Sequence, residues 1–508
     1  MMVVNSRIVL LLTLISQCSS MVLKSQEVST KHVSSSVRSI SNNVLKSLAD
    51  SSEEDENIII SPVSLYFALS MLYHAAEDIT KNELNEFLEF DNFHEDQIEE
   101  TSKQLLVNYA KLRSQLNTTI QLANAIFVDD QFDVHTEYSE RMQESLLSTI
   151  QTVDFLQPSE SAEVINNWVE NKTDNLISDF LSPDTIHVDT RMMLLNAIYF
   201  KADWKNKFEE SETFETLFNI NSNTTIPVSM MTQTNSFLFA ERKSLDASIV
   251  SLPYEDETFS MILFLPNTPG SDSLDELLEK MTDEDYNALM GSLSDHELML
   301  SVPSFKVGYK TELRQTLEKL GLESVFGNAD FTGLSDEPVQ VDNVIHETKL
   351  EVSEAGSEAA GVTGALLGTR SGVVSRPRAI IFDRPFLFVI HDQKNNIPLF
   401  IGRITTPNNN NNNNSSSVNI ESRRADVADE EEVSEDFRVM DPEDKAYYSN
   451  SPDIVSIKNC TITDFINSTR VMFPCPPYDT EPIEDYKKVY GDNSEIGVNG
   501  EMAALRNV

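Results

Sequence analysis

The stretch Glu354 to Ser371 constrains this chain more than any other part of it. It follows a segment of different character, Val341 to Val352. There Val344, His346, Thr348, Leu350 and Val352 alternate with Ile345, Glu347, Lys349 and Glu351. That is the period-two pattern of a half-buried strand, one face mostly apolar and the other mostly charged. Beyond it the large side chains stop. Ser357, Ala359, Gly361, Thr363 and Ala365 form an alternating set without charge or bulk, and among the intervening positions Glu358 is charged. Such a segment suits an exposed loop, and it equally suits entry into a sheet with its small set facing inward.

The loop runs on to Thr369-Arg370-Ser371, an Arg followed by a small residue. That suits a trypsin-like protease, whose specificity pocket carries a carboxylate. A bait that changes structure once cut is the device these features imply. The stretch resembles the hinge and reactive-centre loop of the serpins, the serine protease inhibitors. The family pattern is Glu, a variable residue, Gly, Ser or Thr, Glu, then small residues. Glu354, Gly356, Ser357, Glu358, Ala359, Ala360 and Gly361 meet it, and Val362 and Thr363 continue the hinge. Val362 is bulkier than the family's usual choice but belongs to the outward set. In inhibitory members the scissile residue is the fifteenth from that Gly, and the count from Gly356 lands on Arg370. The resemblance therefore puts the reactive bond at Arg370–Ser371. Two other cations compete as bait: Arg376 precedes Pro377, and Arg378 lies eight residues beyond the counted site.

The resemblance extends over residues 31–407. Asn57 to Ile60 reads as a strand stopped at Ser61-Pro62, with Leu65, Ala68, Met71, Leu72 and Ala75 at helical spacing behind it. Thr80-Lys81-Asn82-Glu83 has the form of a capping box and predicts a helix start. Asn166 to Glu170, Asn196 to Trp204, Val250 to Tyr254, Ser260 to Pro266, Val302 to Lys306, Phe382 to Ile390 and Leu399 to Arg403 match further family signatures in order. His74 and Asp78 stand where the family often has Gly. What the resemblance implies is an α+β fold of about three sheets and eight or nine helices, with an exposed reactive-centre loop. It also implies that Ser61, Asn196 and His346 lie where the central sheet opens. Glu347 departs from the Lys usual in the family at that place.

Composition narrows the partners. The chain of 508 residues carries a net charge of −44 and a pI near 4.4, which argues against nucleic acid or a heparin-like polyanion. It shows no His-Glu-x-x-His pair, no phosphate-cradling Gly-Lys-Ser/Thr loop and no Gly-x-Ser-x-Gly elbow, so neither an enzyme nor a cofactor or metal is expected. Residues 1–20 read as a secretory signal: Arg7, an apolar run from Ile8 to Ile15, then small polar residues. That run is too short to span a membrane. The sequons at Asn117, Asn171, Asn223, Asn459 and Asn467 fit a secreted, extracellular glycoprotein. Cleavage after Cys18 would leave Cys460 and Cys475, a possible disulfide.

After Pro407 the composition breaks. Residues 408–420 form an Asn- and Ser-rich linker, and 421–508 an acidic extension expected to be mostly disordered. This tail reads either as a solubilising extension or as an acidic tether for a basic exosite on a target.

The mechanism implied by the resemblance is suicide inhibition of an extracellular trypsin-like serine protease. The enzyme attacks Arg370, forms an acyl complex and releases the amine of Ser371. The freed strand then enters the central sheet and traps the enzyme before water can deacylate it. The inhibitor is expected to be a monomer until that complex forms. The alternative is a non-inhibitory secreted carrier or chaperone of the same family.

Overall fold

An apolar stripe at Val33, Val37, Ile40, Val44 and Leu48 winds residues 29–49 into helix α1. The computed structural model describes residues 29–407 apart from 92, 116–117, 270–271, 282 and 358–376, all within the first of two units, 1–412 and 413–508. The expected signal (1–20), linker (408–420), extension (421–508), Asn117, Asn459, Asn467, Cys460 and Cys475 lie outside the described residues.

Three isoleucines form β1 (Ile58–Ile60) and pair with the last strand of the domain. The chain then turns at Ser61-Pro62. Pro62 fits the first helical turn, where its missing N–H costs nothing, and the Ser61 hydroxyl accepts the Ser64 N–H at 3.3 Å. Helix α2 (Pro62–Ala75) follows, and all fourteen of its residues are buried. The core-facing set read from the sequence is there, within a helix enclosed on every side. Helix α3 (Asp78–Phe87) begins two residues before the predicted capping box, with Glu77 as its cap. Thr80 and Glu83 serve another purpose. The Thr80 hydroxyl accepts the Asp330 N–H at 3.0 Å, and Glu83 accepts both the N–H and the hydroxyl of Ser324. A distant loop has outcompeted the local cap.

Next come α4 (Glu95–Gln115), β2 (Thr119–Asp129), α5 (Thr136–Leu146), β3 (Thr149–Val153), α6 (Pro158–Lys172) and β4 (Met192–Asp203). Strands β5 (Phe214–Asn219), β6 (Thr225–Arg242), β7 (Ala247–Pro253) and β8 (Phe259–Pro266) precede the short helices α7 (Asp272–Lys280) and α8 (Asp283–Met290). The domain continues through β9 (Ser294–Pro303), β10 (Phe305–Glu312), α9 (Arg314–Lys319), β11 (Asn343–Val352) and the two-residue β12 (Gly356–Ser357). It closes with β13 (Arg378–Ile381), β14 (Phe386–Asp392) and β15 (Ile397–Ile404).

Six strands make one sheet in the order β10-β11-β4-β2-β3, with β12 added beside β4. Nine make the other, β1-β15-β14-β8-β7-β6-β9-β13, with β5 on β6. The roughly three sheets expected from the sequence thus meet as two hydrogen-bonded networks, because the eighteen-residue β6 pairs with β5, β9 and β7 in turn. Helix α2 packs between the sheets, against β15 on one side and β4 and β2 on the other. A second, smaller core lies where α6 and its following connector cover the six-stranded sheet.

Candidate functional site

Strands β4 and β11 meet as parallel neighbours, in register from Asn343 opposite Met193 to Lys349 opposite Tyr199. There their pairing stops. β4 continues to Asp203 and β11 to Val352, and between these ends sits β12, antiparallel to β4, with Gly356 opposite Asp203 and Ser357 opposite Ala202. The seam is forked at this end. A strand continuing from β12 would run antiparallel to both of its neighbours, so each of its amides could find a partner.

The fork is tightly built. Trp204 N–H donates to the Ala355 carbonyl at 2.9 Å, Phe208 N–H to that of Glu354 at 2.8 Å, and the Trp204 indole to that of Ser353 at 2.9 Å. The Thr213 hydroxyl donates to the Glu354 carboxylate at 2.8 Å. Ser353 and Gly356 exchange backbone bonds across a tight turn. Gly356 has φ +153, and a β-carbon there would stand 2.2 Å from the Ala202 carbonyl oxygen and 2.6 Å from the Asp203 α-carbon. Only glycine allows this approach. Ser357 is fully buried, its hydroxyl 3.0 Å from that of Tyr254, whose ring stacks on Trp204 at 4.5 Å. The hinge residues Glu358, Ala359, Ala360, Gly361, Val362 and Thr363, like Arg370 and Ser371, lie outside the described residues.

Lower in the seam, Ser61, Asn196 and His346 come together. His346 and Asn196 are partners across the β4–β11 register, and Asn124 is Asn196's partner on β2. The Ser61 N–H donates to His346 Nε2 at 3.1 Å, which leaves the ring proton on Nδ1 to donate to the Asn196 side-chain oxygen. The Asn196 amide donates onward to Ser64 Oγ and Asn124 Oδ1. All five residues are buried. Burial pushes the His346 imidazole down to about 3, so it is neutral here. Ser64 and Asn124 escaped the sequence reading. Their signal was faint: Ser64 sits one turn into a helix and Asn124 interrupts an apolar strand. The network bridges the two strands that must part if anything enters between them.

The other face of β11 departs from expectation. The sequence predicts a charged, solvent-facing set at Ile345, Glu347, Lys349 and Glu351, yet Ile345 is 3% and Glu347 5% exposed. The connector after α6 covers them. Ile177, Phe180, Leu181 and Ile186 of that connector pack with Ile345 of β11 and Leu195 and Ala197 of β4. Burial raises the Glu347 carboxyl above the usual range against the opposing pull of Lys349 and Lys310.

Further along the chain, Arg378 is the first residue of β13, paired with Leu298 of β9. Its guanidinium is salt-bridged to Glu241 and lies 5.1 Å from the Phe239 ring centre. These residues line an open cavity of about 410 Å³ in the nine-stranded sheet, remote in topology from the seam. Asn223 is exposed in the turn between β5 and β6. Asn171 is exposed on the last turn of α6, while the Thr173 of its sequon is buried and donates to the Val169 carbonyl at 2.8 Å. Among the described residues no three His, Cys, Asp or Glu side chains group as metal ligands, and no helix is long and apolar enough to cross a membrane.

Comparison with known proteins agrees with this geometry. The family profile described as "Serpin (serine protease inhibitor)" matches residues 35–407. Serine protease inhibitor 42Dd of Drosophila melanogaster is 32% identical over 368 residues, 71% of this chain and 94% of that protein. Human Serpin B4 is 33% identical over 372 residues, 70% of this chain and 94% of its own length. Among solved structures, Serpin48 of the insect Tenebrio molitor superposes with a TM-score of 0.66 at 26% identity, covering 74% of this chain and 98% of that one. Human thyroxine-binding globulin shares the fold at 24% identity and a TM-score of 0.68, covering 75% of this chain and all of that one. A profile spanning residues 35–407, and relatives matched over nearly their full length, lead to one conclusion: the chain belongs to the serpin family.

Proposed function

We propose that this serpin is a suicide inhibitor of trypsin-like serine proteases, working outside the cell, with Arg370–Ser371 as its reactive bond. The observation that carries the reading is the fork between β4 and β11. Its first two antiparallel positions hold Gly356 and Ser357, and the sequence that follows them is small and uncharged at every second position. A chain cut at Arg370 would have an opened end from which to part β4 and β11, and the side chains to fill the space between them. Strand entry then adds a full set of backbone hydrogen bonds and carries the acylated protease away from its starting place. Arg370 is favoured over Arg378 because Arg378 is held in β13 by Leu298 and Glu241, whereas a protease needs an extended, accessible segment. Arg376 precedes a proline, which trypsin-like enzymes cut poorly.

The test is direct. Trypsin mixed with the secreted protein should give a band on a denaturing gel at the summed mass of enzyme and cut inhibitor. A released fragment should begin at Ser371, and Arg370→Glu should abolish both. Cleavage at Arg370 without a stable complex would favour the carrier or chaperone reading. Recovery of the protein from the medium with its amino terminus near residue 20 would test the secretory signal in the same preparation.

A further inference from the structure

Strand β5 has one strand neighbour among the described residues, β6, in register from Phe214 opposite Met230 to Asn219 opposite Thr225. Its other edge presents open backbone. The Asn219 N–H points away from β6 and donates to the Asp383 carbonyl at 2.8 Å. Alternation along the strand turns the Leu217 and Glu215 amides the same way, and no described strand receives them. Two large apolar side chains stand out on this strand, Phe214 at 40% and Leu217 at 49% exposure. An open edge with exposed apolar side chains is a template for pairing with another chain. Lysine and proline, the usual guards of such an edge, are absent from β5. Its one charged residue, Glu215, is turned across to β6, where it accepts the Ser229 hydroxyl at 2.9 Å.

The turn that ends β5 holds the sequon Asn223-Thr224-Thr225. The Ile220 N–H closes this turn onto the Thr224 carbonyl at 3.0 Å, and the Asn223 N–H donates to the Asn221 side-chain oxygen at 2.9 Å. Residues 221–225 are all exposed. Neither the Asn223 carboxamide nor the Thr225 hydroxyl is tied up in a hydrogen bond among the described residues. The sequon at Asn171 is built differently. There the carboxamide donates to the Asn167 carbonyl at 2.7 Å, and the Thr173 hydroxyl is buried.

We propose that Asn223 carries an N-linked glycan and that its bulk guards the open edge of β5. The proposal rests on the secreted reading, because the transferase works in the secretory compartment. The donor is an oligosaccharide on a polyisoprenyl diphosphate. Asn223 Nδ2 bonds to the anomeric carbon as the carbon–oxygen bond to the diphosphate breaks. The lipid diphosphate leaves, and one carboxamide proton passes to a base of the transferase. A sugar tree rooted in the turn just past Asn219 has only a six-residue strand to cover, about 20 Å long. Bulky and strongly hydrated, it keeps a second chain away from amides and apolar side chains that β5 itself leaves open.

The full chain, purified from culture medium, is treated with peptide N-glycosidase in heavy-oxygen water and digested for mass spectrometry. The peptide holding residue 223 should contain heavy-oxygen Asp in most molecules. A bare Asn223 beside another occupied sequon would overturn the proposal alone. Absence of the protein from the medium, or a bare residue at every sequon, would overturn the secreted reading and the proposal with it. The guarding role is read from aggregation on mild heating, followed by light scattering. Folded protein stripped of glycan by the enzyme should aggregate severalfold faster, and so should Asn223→Gln and Thr225→Ala. Adding Leu217→Lys to Asn223→Gln should return the rate to that of the glycosylated protein. Equal rates with and without the glycan, or a rate untouched by Leu217→Lys, would overturn the guarding role.

Discussion

Gly356 shows how one position can fix a close approach between two backbones. A side chain there collides with the backbone of β4, and backbone in the middle of a sheet has nowhere to go. Gly356→Val should therefore push the hinge off the fork and break the turn with Ser353. The expected cost is about 1–3 kcal/mol, read as a fall in the urea midpoint without a change in slope. An unchanged midpoint would show that the hinge is not seated there. His346 makes a different demand. Its imidazole has an ordinary value of 6.5 and is held neutral down to about 3 in the fold. Above pH 6.5 it is neutral folded or unfolded and contributes no pH dependence. As pH falls below 6.5 only the unfolded chain takes the proton, so stability drops until the folded value is reached. His74 and His391, each lowered to about 4 by burial, act in the same sense. Replacing His346 by Gln should flatten the loss between pH 6.5 and 5 by about 2 kcal/mol, measured as unfolding free energy against pH. An identical pH slope in the variant would rule out a neutral buried imidazole.

At the scale of elements, the proposed function turns on the sequence that follows β12. The set Ser357, Ala359, Gly361, Thr363 and Ala365 would face inward on entry, so a charge placed among them must be buried or must stall the strand. Thr363→Glu, which adds a charge without adding a site for trypsin, should leave cleavage at Arg370 intact while raising the number of inhibitor molecules consumed per protease at least severalfold, by titration of residual trypsin activity. An unaltered stoichiometry would mean that this set does not enter the sheet. Elements also show where sequence reasoning reaches and where it stops. Period two at 344–352 and the proline two residues after Ile60 were legible, because each is a local rule of backbone and side-chain geometry. The burial of Glu347 was not. It depends on a connector over a hundred residues earlier in the chain, and no local pattern marks a charged strand face that another segment will cover. Thr80 and Glu83 misled for the same reason. Their capping spacing is real, but Ser324 and Asp330 arrive from elsewhere in the chain and take their hydrogen-bonding capacity.

At the scale of the molecule, the proposed function asks that a sheet with a parallel seam, a fork at one end and a buried polar row be complete enough to fold and still accept another strand. Such a molecule can gain stability by being cut, which is the reverse of what cleavage does to most proteins. On this reading the new strand would add buried backbone hydrogen bonds on both of its edges and fill the space with small side chains. The most direct test of this account is the melting temperature of the protein before and after limited cleavage close to Arg370 by a metalloprotease, which attacks with water and forms no acyl-enzyme to be trapped. Insertion of residues 358–370 between β4 and β11 predicts a rise of at least about 10 °C. A melting temperature that stays the same or falls after the cut would mean that the loop remains outside the sheet, and would contradict the account.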